Sequence, residues 1–261
     1  MKQQSISEIK AILQAADETM LPAFIKEYEA DERAGVAALV KKARAGIEAL
    51  AAERQRMEKM SEFEYKYSDF SCICGIDEAG RGPLAGPVVA GAVVLDPSVE
   101  ILYLNDSKKL SAAKRDELYD IIMEKALSAS VGIVGPEVID EINILQATYE
   151  AMRQAVKKLT VKPDILLNDA VTIPGIDVKQ VAIVKGDARS KSIAAASIIA
   201  KVTRDRIMLK YDEKYPEYGF ASHKGYGAAA HIAALEKYGA SPIHRKTFIK
   251  NFDIGKYRYG T

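Results

Sequence analysis

The stretch Gly75-Ile76-Asp77-Glu78-Ala79-Gly80-Arg81-Gly82-Pro83-Leu84-Ala85-Gly86-Pro87 constrains this chain more than any other. Residues 72–76 are apolar enough for a buried strand, and residues 88–95 return to strand composition. Four glycines and two prolines across the stretch force a tight non-helical turn between the two strands. Two adjacent carboxylates, Asp77 and Glu78, therefore stand where a buried strand ends. An acid at the edge of an apolar sheet loses hydration unless a cation or hydrogen-bond donors replace it. A divalent metal is one such replacement, and a pair of solvated turn acids is the alternative. Neighbouring strand residues point to opposite faces, so both acids can share an ion only if the strand breaks at once. Gly80 and Gly82 supply that break. A dinucleotide-binding loop is set aside: the glycine spacing is wrong, a proline follows Gly82, and two acids stand where a pyrophosphate needs positive potential.

At 261 residues and 48% hydrophobic, the chain can build a sizeable core. The start, Met1-Lys2-Gln3-Gln4-Ser5, lacks the apolar core of a signal peptide, and no run approaches the roughly 20 apolar residues of a membrane span. A cytoplasmic protein without a membrane partner is expected. The net charge of +1 means that any nucleic-acid binding must rest on a local patch. Cys72 and Cys74 lie two apart on one strand face, a poor geometry for a mutual disulfide, and two thiols without a histidine cluster fall short of a zinc site. They are expected to be packing residues.

Residues 1–66 are rich in alanine and charge, with apolar residues at helical spacing. Ile6, Ile9, Ile12 and Leu13 form one stripe, and Val40, Ala43, Ile47 and Leu50 another. Two or three helices are expected here, with a break around Leu21-Pro22. Such an extension could be a docking module, a nucleic-acid grip or a packed cap. The polar residues 61–69 look like a linker to a second region, 70–261. There, Ile101-Leu102-Tyr103-Leu104 is a possible third strand, and Ser111 can cap a helix over 112–127. A short strand is expected over 131–134, and one or two helices over 136–158. Asp164-Ile165-Leu166-Leu167-Asn168-Asp169-Ala170 is a second apolar run ending in an acid. Another strand over 181–184 leads to Asp187 and then a long helix reaching about Tyr211. Asp187 could cap that helix, whose Ala194, Ala195, Ala196 and Ser197 would let it lie close on a sheet. Acids at the ends of separate strands suggest one composite site.

Gly75–Pro87, Asn105-Asp106-Ser107-Lys108, Gly186-Asp187 with residues 192–205, and His223-Lys224-Gly225-Tyr226-Gly227 together resemble bacterial ribonuclease HII, a type 2 ribonuclease H. The resemblance covers roughly residues 70 to 250. It does not extend to the N-terminal helices, which typical members are expected to lack. It implies an α/β, RNase H-like fold: a central mixed sheet flanked by helices, with a C-terminal helical part that binds substrate. It further implies that Asp77, Glu78, Asp169 and Asp187 are the catalytic carboxylates and hold Mg²⁺ or Mn²⁺, two ions during catalysis. The expected activity is hydrolysis of RNA in RNA–DNA hybrids and cutting 5′ to single ribonucleotides in duplex DNA, leaving 3′-hydroxyl and 5′-phosphate ends.

By the same resemblance, Gly80, Arg81 and Gly82 would bring backbone against the ribose 2′-hydroxyl, and Tyr226 would stack on the neighbouring deoxyribose. Lys108, Arg189, Lys191, Lys201, Arg204 and Lys224 are candidates to face phosphates. The histidines, His223, His231 and His244, have no metal-ligand spacing and are given no metal role. One departure stands out: where the family reads Asp-Gly at the third acid, this chain reads Asp169-Ala170. A monomer is expected. The sister type, ribonuclease HIII, fits less well because it lacks the Gly-Arg-Gly turn and carries a sheet-containing N-terminal domain. A hybrid-binding protein without catalysis is disfavoured because all four acids are present.

Overall fold

The computed structural model describes residues 4–252, so the outermost ends of both expected regions, 1–3 and 253–261, lie outside the described residues. The chain divides into two compact units, one ending at Lys59 and one beginning at Met60.

The first unit is a small helical bundle of α1 (Ile6–Ala15), α2 (Leu21–Tyr28) and α3 (Ala34–Lys59). Ser5 opens α1 with a capping box: its hydroxyl accepts from the Glu8 N–H, while the Glu8 carboxylate takes the Ser5 N–H. Pro22 starts α2 in the first turn, where its missing donor costs nothing. Ile9, Phe24, Tyr28, Val36, Val40 and Ala43 form the core. The expected stripes are thus half right, since Ile6 and Ile12 are exposed.

The second unit starts with α4 (Glu62–Lys66), inside the segment expected to be a linker. The compact second unit thus takes in the stretch expected to be a linker. Phe63 of α4 packs with Ile165, Leu167, Ile183 and Ile193, so the apparent linker is part of the core. The sheet follows: β1 (Ile73–Ala79), β2 (Val88–Val94), β3 (Ser128–Val134), β4 (Ile165–Asp169) and β5 (Lys179–Ile183), in the order β3-β2-β1-β4-β5. The β1–β2 and β2–β3 pairs are antiparallel, while β1–β4 and β4–β5 are parallel. Between β2 and β3 runs α5 (Ala112–Lys125), capped by Ser111 as expected. No strand forms over 101–104. The run turns at Tyr103, whose φ is 67°, and only Ile101 and Leu104 are buried.

Two long helices sandwich the sheet. On one face, α6 (Pro136–Lys158) covers Cys74, Ile76, Val88, Ala90, Ala92 and Val94 through Ala147, Ala151, Met152 and Ala155. Cys74 is buried there, and burial pushes its thiol up to about 12, as befits a packing residue. On the other face lies α7 (Lys191–Lys214). A Cβ at Gly91 would stand 2.4 Å from the Ala196 carbonyl oxygen, and one at Gly75 2.0 Å from the Ser192 carbonyl carbon. Glycines on the strands and alanines on the helix together allow this near-contact of backbones. Short helices complete the unit: α8 (Phe220–His223), α9 (Ala229–Tyr238) and α10 (Lys246–Ile249).

Candidate active site

Strand pleating decides where each acid points. Asp77 pairs in register with Gly91 and Glu78 with Ala90. Gly91 faces α7, so Asp77 does too, and Ser197 of that helix favours its charged form. Glu78 leaves the sheet on the opposite face, at the point where Gly80 (φ 93°) ends the strand. The parallel register sets Ile76 beside Asn168, so Asp77 and Asp169 emerge at the same end of neighbouring strands. Asp169 Oδ1 accepts the Gly186 N–H at 2.8 Å, which draws the 3-10 turn Gly186–Ala188, carrying Asp187, onto the same edge. Asp187 does not cap α7. Ser190 does so, through the Ile193 N–H, and Asp187 is left facing the other acids.

The electrostatics are those of carboxylates crowded together. Burial first, then the charges of Glu78 and Asp169, raise the Asp77 carboxyl well above the usual carboxylate range against the pull of Ser197. Burial likewise raises Glu78, although Arg81 stands 3.2 Å away and opposes the shift. Asp187 is raised by burial, then by Asp106 and Asp169. The other oxygen of Glu78, Oε2, is buried with no hydrogen-bond partner. An all-oxygen donor set, crowded negative charge and an orphaned carboxylate oxygen fit a hard divalent cation. Among the described residues no group of three or more His, Cys, Asp or Glu side chains is already gathered closely enough to hold a metal ion by itself.

The basic candidates separate. Burial lowers Lys108, but Asp106, Asp77, Asp187 and Asp169 more than offset it, so its ammonium belongs to the acid cluster. Arg189 instead pairs with Glu62 at 3.5 Å and lies over the Phe63 ring. Lys191 lines a pocket with Glu64 and Ile73, at the end of β1 remote from the acids. Lys201 and Lys224 line a groove of about 570 Å³ together with Tyr226, although Lys201 is held by Asp205 at 2.7 Å and Lys224 bonds the Ala221 carbonyl.

Arg204 cannot face a phosphate, because it is buried at 1% exposure. It donates to the carbonyls of Pro87, Lys224 and Ala85. Arg245, equally buried, donates to those of Gly86, Arg81 and Gly80 at 3.0, 2.8 and 2.6 Å. These two guanidinium groups brace the glycine turn from beneath, and Tyr226 stands beside it: a Cβ on Gly82 would lie 3.9 Å from the tyrosine ring. Two residues were not apparent as part of the site: Arg245, and Asp106, whose charge helps to raise Asp187. Asp106 lies in a motif already noticed, whereas nothing local distinguishes Arg245 from a surface arginine.

Ala170 explains how the chain departs from the Asp-Gly pattern. It adopts φ 55°, the left-handed conformation that glycine takes freely, and donates its N–H to the Ile183 carbonyl. The Asn168 amide, bonded to Val171 O and Gln180 Oε1, fixes the loop around it. Ala170→Gly is therefore expected to stabilise the protein by about 1 kcal/mol. Urea unfolding with an unchanged m-value would show it, and a loss of stability would mean that Ala170 is unstrained.

Comparison with known proteins decides the family. The Ribonuclease HII family model matches residues 74–251, and that of the Ribonuclease HII N-terminal domain matches residues 5–68. The chain belongs to the ribonuclease HII family. The Ribonuclease HII of Lachnoclostridium phytofermentans is 58% identical, over 94% of this chain and 97% of that protein. That of Clostridioides difficile is 53% identical, over 96% and 99%. Among solved structures, the ribonuclease H2 of Pyrococcus horikoshii superposes with a TM-score of 0.59 at 31% identity, covering 70% of this chain and 97% of that one. The RNase HII of Archaeoglobus fulgidus, solved in complex with PCNA, gives 0.60 at 28%, covering 71% and 98%. The N-terminal helices are thus a family feature, contrary to the expectation that members lack them. As a ribonuclease HII, the protein is a hydrolase that cleaves RNA in RNA–DNA hybrids. No helix among its described residues is long and apolar enough to cross a membrane.

Proposed function

We propose that this ribonuclease HII acts at RNA–DNA junctions, cutting 5′ to a single ribonucleotide in duplex DNA and leaving 3′-hydroxyl and 5′-phosphate ends. One observation carries this reading: Tyr226, 46% exposed, stands beside Gly82 on the turn that directly follows Asp77 and Glu78. A probe of sugar identity is thereby joined to the hydrolytic acids. The side-chain-free position at Gly82, beside Tyr226, lets main-chain groups approach a ribose 2′-hydroxyl, whereas Gly80 makes room for the Arg204 side chain that braces the turn; the Tyr226 ring offers an apolar face to the next sugar, where a hydroxyl would be crowded.

Asp77, Glu78, Asp169 and Asp187 would hold Mg²⁺ or Mn²⁺, two ions in the working complex. When bound, such ions neutralise charge at the phosphate and lower the pKa of the attacking water. The protein's own residues do the positioning. The Glu78 N–H bonds Asp77 Oδ1 at 2.7 Å, and Ser197, 2.9 Å from Ser107, favours the charged carboxylate. Arg81 and Lys108 place positive charge at the rim of the acids, where a phosphate must enter. Lys224 and Lys201 extend that charge along the groove beside Tyr226. Arg189 is engaged by Glu62, and Lys191 lines the pocket at the other end of β1, so neither is assigned this task. One chain carries all four acids, so a monomer suffices in this reading, and residues from Met60 onward carry the whole catalytic unit.

The direct test is cleavage of an end-labelled DNA duplex carrying one ribonucleotide, with Mg²⁺, with Mn²⁺ and with chelator. A metal-dependent cut on the 5′ side of the ribonucleotide is expected, and Tyr226→Ala should lower its rate relative to that on a continuous hybrid. Cleavage of continuous hybrids alone would refute the junction reading.

A further inference from the structure

Behind Tyr226 lies a buried polar cluster that the hydrolysis itself does not use. His231 and His244 are fully enclosed, and His223 stacks on His231 with ring centroids 4.4 Å apart. Phe220 and Tyr218 close the cluster edgewise and from the side.

The partners of each ring nitrogen assign its proton. His231 Nδ1 lies 2.8 Å from the Tyr226 carbonyl oxygen, which can only accept, so Nδ1 carries the hydrogen. His244 Nδ1 accepts the Ser241 N–H at 2.9 Å, with the Ser241 hydroxyl turned to it at 2.8 Å, and so has none. A neutral His244 then bears its hydrogen on Nε2 and donates it across 3.0 Å to the free lone pair of His231 Nε2. By the same logic His223 accepts the Gly225 N–H at Nδ1 and donates from Nε2 to the Tyr218 carbonyl. Every ring is satisfied in one neutral tautomer, and a proton added to either inner ring would set N–H against N–H. Burial agrees, holding His231 below its ordinary range and His244 down at about 3.

We propose that His231 is a positioning residue for substrate selection: its Nδ1–H, held in that tautomer by His244, fixes the main chain of Tyr226 and so sets where the exposed ring stands over the glycine turn. The next residue after His244 is Arg245, which grips the carbonyls of Gly80 and Arg81. One dipeptide therefore ties the tyrosine loop and the glycine turn to a common anchor. This inference rests on the reading of Tyr226 as the group that meets the sugar.

The test compares kcat/KM on a DNA duplex with one ribonucleotide and on a continuous RNA–DNA hybrid, for the full chain and for His231→Leu, His231→Asn and Tyr226→Ala. His231→Leu should lower the single-ribonucleotide to hybrid ratio about tenfold, the worth of one buried hydrogen bond. His231→Asn, which keeps an N–H donor near the place of Nδ1, should restore most of it. A parent-like ratio in His231→Leu, with the ratio lost in Tyr226→Ala, overturns the positioning role alone. A parent-like ratio in Tyr226→Ala overturns the reading of the tyrosine, and the role of His231 with it. If the leucine variant does not fold, imidazole nitrogen shifts of the parent at pH 7 decide. Nδ1–H at His231 with Nε2–H at His244 supports the assignment, and the reverse tautomer at His231 overturns it.

Discussion

Asp77→Asn should lower cleavage at least about 10³-fold while duplex binding survives, because the change removes a central charge of the acid cluster and leaves the glycine turn and Tyr226 in place. The same change should make the metal-free protein more stable at neutral pH. In the folded chain burial and the charge of Glu78 hold the Asp77 carboxyl above its ordinary range, so the native state keeps that proton to a higher pH than the unfolded chain does. Between the two pKa values the native state binds more protons, and stability must fall as pH rises above about 4. An amide of the same shape removes that slope. Urea unfolding in chelator at pH 5 and pH 8 measures it: the parent should weaken towards pH 8, and the variant should weaken less. Added Mg²⁺ should stabilise the parent by mass action and the variant little. Equal loss of binding and cleavage would take Asp77 out of the catalytic set.

Arg245→Met should cost about 3–5 kcal/mol of stability, since it strands the buried carbonyls of Gly80 and Gly86 and the part-buried one of Arg81. For a unit of this size that corresponds to a fall in Tm on the order of 10 °C. Arg245→Lys should rescue little, because a single ammonium cannot reproduce a planar fork that reaches three acceptors. Burial, followed by the nearby charge of Arg204, brings the Arg245 guanidinium down to about 9. It thus remains the protonated member of the turn at neutral pH. A thermal scan of both variants checks this, and a methionine variant as stable as the parent would show that the turn holds its own shape.

The parts of the fold that could be read in advance are those written in local chemistry. Glycine and proline punctuate β1 and β2 so densely that no helix could form there, and Ala194–Ser197 announced a helix lying flat on a sheet. The acids could be placed at strand ends because apolar runs stop at them. What escaped detection depends on distant partners. Phe63 looked like a linker residue until Ile165, Leu167 and Ile193 enclosed it. Ile101-Leu102-Tyr103-Leu104 has strand composition, yet the place beside β2, the strand it follows, is taken by β3. Arg204 was read as a phosphate contact because arginine is ordinarily exposed, and only the carbonyls of Ala85, Pro87 and Lys224 make its burial tolerable. Asp187 looked equally suited to cap α7, and Ser190 took that place.

The order of strands also has a consequence for biosynthesis. β1 is central, and its inner edge is completed only when Ile73–Ile76 meet Ile165–Asn168, far along the chain. At ribosomal rates that wait is on the order of ten seconds. During it the nascent hairpin of β1 and β2 presents an open apolar edge, a template for pairing with any other extended segment. The acids that end β1 lie at the tip of that edge, and their mutual repulsion opposes stacking of one such hairpin on another. The carboxylates proposed to cut nucleic acid in the finished enzyme would thus also guard the unfinished one against aggregation.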